Sequence, residues 1–202
     1  IVRDRELDGR KETFQELVQK GLGGFLVRNM ESYGILDAMG LTSRIVLDAN
    51  IYTMNNRAEA FWMKKGILGD TVPLELNAKE LVHRNNKNSE LTVYGYTPMM
   101  VSVQCVQKTM DHCNHACVQY VLKDRYQKEF HGVCSCEFCY NTIYNTLPTS
   151  LLKEKEKAEK LGVKAYRLSF TTETQQETEK IVRAFVDVYL RGQKPDGQMQ
   201  TE

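Results

Sequence analysis

Short β-rich runs alternating with stretches of helical period constrain this chain more than any other feature. Gly24-Phe25-Leu26-Val27, Arg44-Ile45-Val46-Leu47, Val72-Pro73-Leu74-Glu75-Leu76, Leu91-Thr92-Val93-Tyr94 and Val163-Lys164-Ala165-Tyr166-Arg167-Leu168 read as strands. Between and around them, Arg10 to Gly21, Ser32 to Met39, Arg57 to Lys65, Ala78 to Arg84, Leu151 to Lys160 and Thr174 to Leu190 read as helices, several stopped by a glycine. This rhythm predicts βα units on a parallel sheet rather than a bundle or a sandwich, so the expected class is α/β. Pro73 is tolerable only near a strand start or on an edge, because it has no N–H to give to a ladder. Trp62, Phe61 and the Met99-Met100 pair are expected to fill the interior.

The 202 residues carry 27 Lys and Arg against 26 Asp and Glu, so no net field draws the whole chain onto a polyanion or an anionic membrane. Contact with nucleic acid would have to be local. No apolar stretch approaches the roughly 20 residues that span a bilayer, and no membrane association is expected. The chain begins at Ile1 without an initiator Met or the apolar core of a secretory signal, and residues 191–202 are almost wholly polar. The reading is an excised piece: a domain over residues 1–190, then a linker-like tail.

Polar residues gather where the expected strands end: Arg28 and Asn29, Asp48 and Asn50, Glu75 and Asn77, Tyr94 to Tyr96, and Arg167 with Ser169. In parallel α/β sheets these ends form the ligand crevice. Asp48 and Glu75 are the candidate catalytic carboxylates, and Arg28, Asn29, Asn50, Asn77 and Arg167 the candidate substrate contacts. Asp48, Asn50 and Asn77 can equally cap the helices that follow them.

All six cysteines fall between Cys105 and Cys139, together with His112, His115 and His131. A chain of this size needs no disulfide staples, and with no export signal a reducing, cytoplasmic compartment is expected, which favours thiolates gathered on a metal. Cys113-x3-Cys117 and Cys136-x2-Cys139 are joined by a segment that alternates like a hairpin, with its turn at residues 123–128, and two such pairs can meet on one tetrahedral zinc. Cys105 and Cys113 with the Cys136/Cys139 pair equally supply four thiolates, a set that also suits an iron-sulfur cluster.

The series Gly24 to Asn29, Asp48-Ala49-Asn50 with Asn55-Asn56, Glu75-Leu76-Asn77 followed by Glu80-Leu81, Tyr94-Gly95-Tyr96-Thr97-Pro98-Met99-Met100-Val101-Ser102, Gln104-Cys105, Leu122 to Tyr126, and Cys136-Glu137-Phe138-Cys139-Tyr140-Asn141 with Ile143-Tyr144-Asn145 resembles the collagenase-like peptidase family U-32. The likeness runs in the family's order from about Gly24 to Leu190. It implies the later βα units of a TIM-like barrel with a Cys-rich hairpin inserted at about residues 105–140. It also implies either a protease acting on peptides or collagen, or, as in relatives that hydroxylate RNA or ubiquinone precursors, an iron-sulfur enzyme with an RNA or small aromatic substrate. Carried over by position, the ligands are Cys105, Cys113, Cys136 and Cys139. Such relatives often place a further cysteine shortly before the one matched by Cys105, and Tyr96-Thr97-Pro98-Met99 has none, so Cys117 or Cys134 can replace one of the four.

No G-x-S-x-G or H-E-x-x-H stretch supports peptide hydrolysis independently. A non-catalytic zinc knuckle that binds protein or RNA is the rival class. If half a barrel stands alone, its free sheet edges invite pairing between chains.

Overall fold

The computed structural model describes residues 9–110 and 113–195, so most of the polar tail, the first residues and His112 lie outside the described residues. The chain divides into two compact units, one reaching to Thr92 and including Glu156–Arg167, the other made of Val93–Lys155 and the chain from Leu168 onward. Among the described residues no helix is long and apolar enough to cross a membrane.

The first unit holds β1 (Phe25–Val27), β2 (Ile45–Leu47), β3 (Gly69–Thr71) and the first residues of β4 (Ser89–Gly95), which run parallel in that order, and the first residues of β10 (Ala165–Ser169), which follows β4. The five strands curl into a half-barrel, the α/β class expected of alternating βα units. Helices α1 (Arg10–Gln19), α2 (Met30–Ala38), α3 (Asn56–Lys64) and α4 (Ala78–Leu81) connect or precede the strands.

Strand alternation gives the sheet two different faces. Phe25, Val27, Ile45 and Leu47 are buried with Tyr33 and Leu36 of α2, Trp62 of α3, and Ile67. The Tyr33 and Trp62 rings meet edge to face at 4.8 Å, a geometry that adds about 0.5–1.5 kcal/mol beyond area burial. The opposite face carries Leu26, still 47% exposed, and the charged groups described below.

The third strand departs from the expected position. Val72 to Leu76 was expected to pair, but the ladder uses Gly69-Asp70-Thr71, and Leu74 and Glu75 form an exposed turn. These polar residues are tolerated in the core because their partners come from elsewhere in the chain. Arg84 pairs with Asp70, both 2% exposed in their side chains. Arg84 Nε donates to the Thr53 carbonyl at 2.8 Å, and its Nη1 to Asn86 Oδ1 and Ser89 Oγ, each at 2.9 Å. Ser89 Oγ donates to the other Asp70 oxygen at 2.6 Å, and Thr53 Oγ1 donates to Asp70 as well. The strand must start on glycine, because a Cβ at Gly69 would sit 2.3 Å from the Asn88 carbonyl oxygen.

The second unit is built on an antiparallel sheet that the alternating pattern did not foretell. Its order is β5 (Pro98–Ser102), β8 (Tyr140–Tyr144), β7 (Glu129–Ser135) and β6 (Gln119–Lys123). The segment expected as a hairpin supplies β6 and β7, with its turn where expected, but none of the six cysteines lies in that turn. Helix α5 (Val106–Thr109) follows β5.

Strand β9 (Thr149–Ser150) pairs antiparallel with the end of β4, and α6 (Lys155–Lys160) follows a short turn of 3-10 helix. Helix α7 (Gln175–Phe185) opens with a capping box at Thr174 and Glu177, and runs into a π-helical turn over Val186–Leu190. Ile181, Phe185 and Val188 are its buried stripe.

Of the residues expected in the interior, Trp62 is buried, but Phe61, Met99 and Met100 are 55%, 59% and 52% exposed. Met99 and Met100 lie on β5, which ends the order of its sheet and, among the described residues, has no strand on its far side. Phe61 sits on the outer side of α3, edge to face on Trp62 at 5.3 Å, with the Lys65 ammonium over its ring.

Candidate metal centre

Two groupings of functional side chains stand in the structure, one in each unit. In the first, three residues expected at the strand ends meet. Arg28, just after β1, donates from Nε to Asp48 Oδ2 at 2.8 Å, and Arg167 on β10 donates from Nη2 to Asp48 Oδ1 at 2.7 Å. Arg167 Nη1 also reaches Glu90 Oε1 at 2.8 Å, and Thr71 Oγ1 donates to that same oxygen at 2.8 Å. Two arginines and two carboxylates compensate one another, so the cluster is an internally neutral, charge-assisted lattice. Both Asp48 oxygens are engaged by guanidiniums, and Oδ1 also accepts from the Ala49 N–H.

The remaining strand-end residues stand apart from this lattice. Asn29 caps α2 by accepting from Ser32 N at 2.9 Å. Asn77 caps α4 in a reciprocal box with Glu80. Asn50 lies exposed in a 3-10 turn, and Glu75 is exposed after β3. Thr71, Glu90 and Thr92 belong to the lattice and were missed in the sequence. The signal was there in Glu90-Leu91-Thr92-Val93, where polar and apolar residues alternate along β4 and place two polar side chains on the open face.

In the second unit all six cysteines are free thiols. Cys113, His115 and Cys136 offer ligand atoms that all lie within 4.8 Å of one another, a group that can hold a metal ion. Cys136 opens the tight turn joining β7 to β8, and Cys139 closes it, donating its thiol to the Cys136 carbonyl at 3.6 Å. Cys139 and His115 both hold left-handed backbone, at φ 56° and 57°. Side chains other than glycine pay for that conformation by about 1–2 kcal/mol, and such strain gathers at ligand clamps and active sites.

Cys105 and Cys134 form a second, buried group, with their sulfurs 3.8 Å apart. Cys105 occupies the position just before α5, and the backbone N–H of Lys108 pulls its thiol below the ordinary value. Cys134 moves the other way, pushed up to about 12 by burial and by Cys105. Burial also raises Cys136, and Cys113, Cys117, Cys139 and Cys105 add repulsion in that order. This mutual repulsion links the two groups: a negative charge on any of these sulfurs opposes one on Cys136, and a bound cation would relieve it. Of the four ligands carried over by resemblance, Cys113 and Cys136 lie in the three-donor group, Cys139 ends the same turn as Cys136, and Cys105 faces Cys134.

No family model matches this chain, and no match is found among curated proteins or solved structures.

Proposed function

We propose that this chain carries a cysteine-ligated metal centre in a U-32-like protein, with an iron-sulfur cluster held by Cys105, Cys113, Cys136 and Cys139, serving the oxidative modification of an RNA or a small aromatic. The observation that carries the metal is the convergence of Cys113, His115 and Cys136 within 4.8 Å amid further free thiols. Thiolate-rich sets select iron-sulfur clusters, zinc and cuprous copper. The U-32 likeness selects iron-sulfur among these. A bound cluster supplies one-electron redox chemistry. The chain's own contribution is to gather Cys113, His115 and Cys136, to place Cys139 at the end of the same turn as Cys136, and to draw Cys105 toward its charged form at the start of α5.

His115 within ligand distance favours a second reading, a tetrahedral zinc on Cys113, His115 and Cys136 with Cys139 or Cys117 as the fourth donor. Zinc would make the centre structural. The protease alternative rests on the family likeness alone.

Anaerobic reconstitution with iron and sulfide decides between the metals. The proposal expects broad absorption near ~400 nm, as thiolate-ligated clusters show and colourless zinc does not. It also expects stoichiometric iron and acid-labile sulfide, both lost in the Cys113→Ser, Cys136→Ser double variant. Colourless protein that takes up zinc alone would replace it with the second reading.

A further inference from the structure

The antiparallel sheet holds a cavity that the metal reading does not use. Cross-strand register places Met100, Ile143, Gly132 and Tyr120 in one row across the four strands, and Ser102, Asn141 and Cys134 in the next. Val106 and Thr109 of α5, and Met110 just after it, line the same space, so this short helix forms the second wall. The cavity is open to solvent on one side and has a volume of about 280 Å³.

Two features make this a built cavity rather than a gap in packing. The first is its floor. Gly132 has no side chain, and a Cβ there would lie 2.3 Å from the Tyr120 ring and 2.8 Å from its hydroxyl, so the end of the Tyr120 side chain lies over β7 at Gly132. The second is its unspent hydrogen-bonding capacity. Asn141 is 1% exposed, and its Nδ2 donates to the Gln104 carbonyl at 2.8 Å, which fixes the amide's orientation and leaves Oδ1 an acceptor with no partner. The buried Tyr120 hydroxyl also has none. Each such group costs free energy unless something that enters the cavity supplies its partner.

We propose that this cavity binds a small planar aromatic bearing an N–H or O–H donor, whose ring lies among Met100, Met110, Leu122 and Ile143 and whose donor bonds Asn141 Oδ1 while the Tyr120 hydroxyl bonds an acceptor beside it. The apolar lining suits a ring face, and methionines adapt to its outline. An acceptor-only oxygen at Asn141 sets the requirement for a donor. Because Asn141 lies opposite Cys134 in the register, the ligand would sit one residue row from the buried thiol pair. The inference stands whether the thiols hold iron-sulfur, zinc or nothing.

Benzamide and methyl benzoate test it, since they share a ring and a carbonyl and only benzamide has N–H donors. Titrated into the full chain and followed by the methyl resonances of Met100, Met110 and Ile143, benzamide should give saturable shifts, and methyl benzoate should bind at least about tenfold more weakly. Asn141→Leu should erase that discrimination. Tyr120→Phe keeps the ring over Gly132, and should weaken benzamide about threefold to tenfold. Equal binding of the two probes, or no saturable shift with benzamide up to its solubility, would overturn the proposal. If Asn141→Leu does not fold, unchanged benzamide binding in Tyr120→Phe would overturn it as well.

Discussion

The Arg84 cluster behind β3 is wholly buried, whereas the thiol cluster at the end of β7 buries Cys136 and leaves Cys113 and His115 exposed, and the two polar clusters are completed in different ways. Every N–H of the Arg84 guanidinium has an acceptor, and both Asp70 oxygens accept hydrogen bonds, so that region closes upon itself. Around Cys136 the neighbours are other thiols, which oppose one another's charge. A polar group satisfied within the chain serves the fold, whereas a set of like groups whose charged forms oppose one another, and which a bound metal could neutralise together, points to something bound. The Asp48 lattice resembles the first kind, with two guanidiniums balancing two carboxylates.

The largest effect is expected at Arg84. Arg84→Met leaves Asp70 buried beside no cation, and should cost about 3–5 kcal/mol in urea denaturation, with or without metal. A loss under about 1 kcal/mol would mean that the cluster is not the closed structural device described here. Leu47→Ala, on the helix-covered face of the half-barrel, should cost about 2–5 kcal/mol by the same measurement and be equally blind to metal.

On the thiol side the dependence should reverse. Metal at about 100 times its dissociation constant should stabilise the chain by about 2.7 kcal/mol, and Cys136→Ser should abolish the gain while changing the metal-free stability little. Loading should also fall as pH falls. Cys136 holds its proton more tightly than an ordinary thiol, and a ligating thiol must give its proton up, so protons compete more effectively on the acid side. Metal titrations at pH 8 and pH 6 should show the weaker apparent affinity at pH 6. The smallest expected effect is at a cap: Asn77→Ala should cost about 1 kcal/mol, with no change in metal uptake.

Legibility in the sequence followed the same division. Where a strand buries apolar residues against helices, as Phe25 to Val27 and Ile45 to Leu47 do, local pattern sufficed. Gly69-Asp70-Thr71 stayed hidden because its polarity is compensated by Arg84, and no local window contains that pairing. Met99 and Met100 read as core because they are apolar; only the order of the antiparallel sheet shows them to be on an end strand. Arg28, Asp48 and Arg167 were legible as strand-end residues, though Asn29 and Asn77 went to helix caps instead. The crowding of six cysteines was plain in the sequence. Which thiol faces which was not, since the approach of Cys105 to Cys134 depends on how α5 follows β5.

X-ray absorption at the metal edge of the loaded chain reads directly which atoms ligate the metal. The account predicts a first shell dominated by sulfur, at about 2.3 Å if the ion is zinc, that disappears together with bound metal in the Cys113→Ser, Cys136→Ser double variant. A shell of oxygen and nitrogen alone, or metal retained unchanged in that variant, would contradict it.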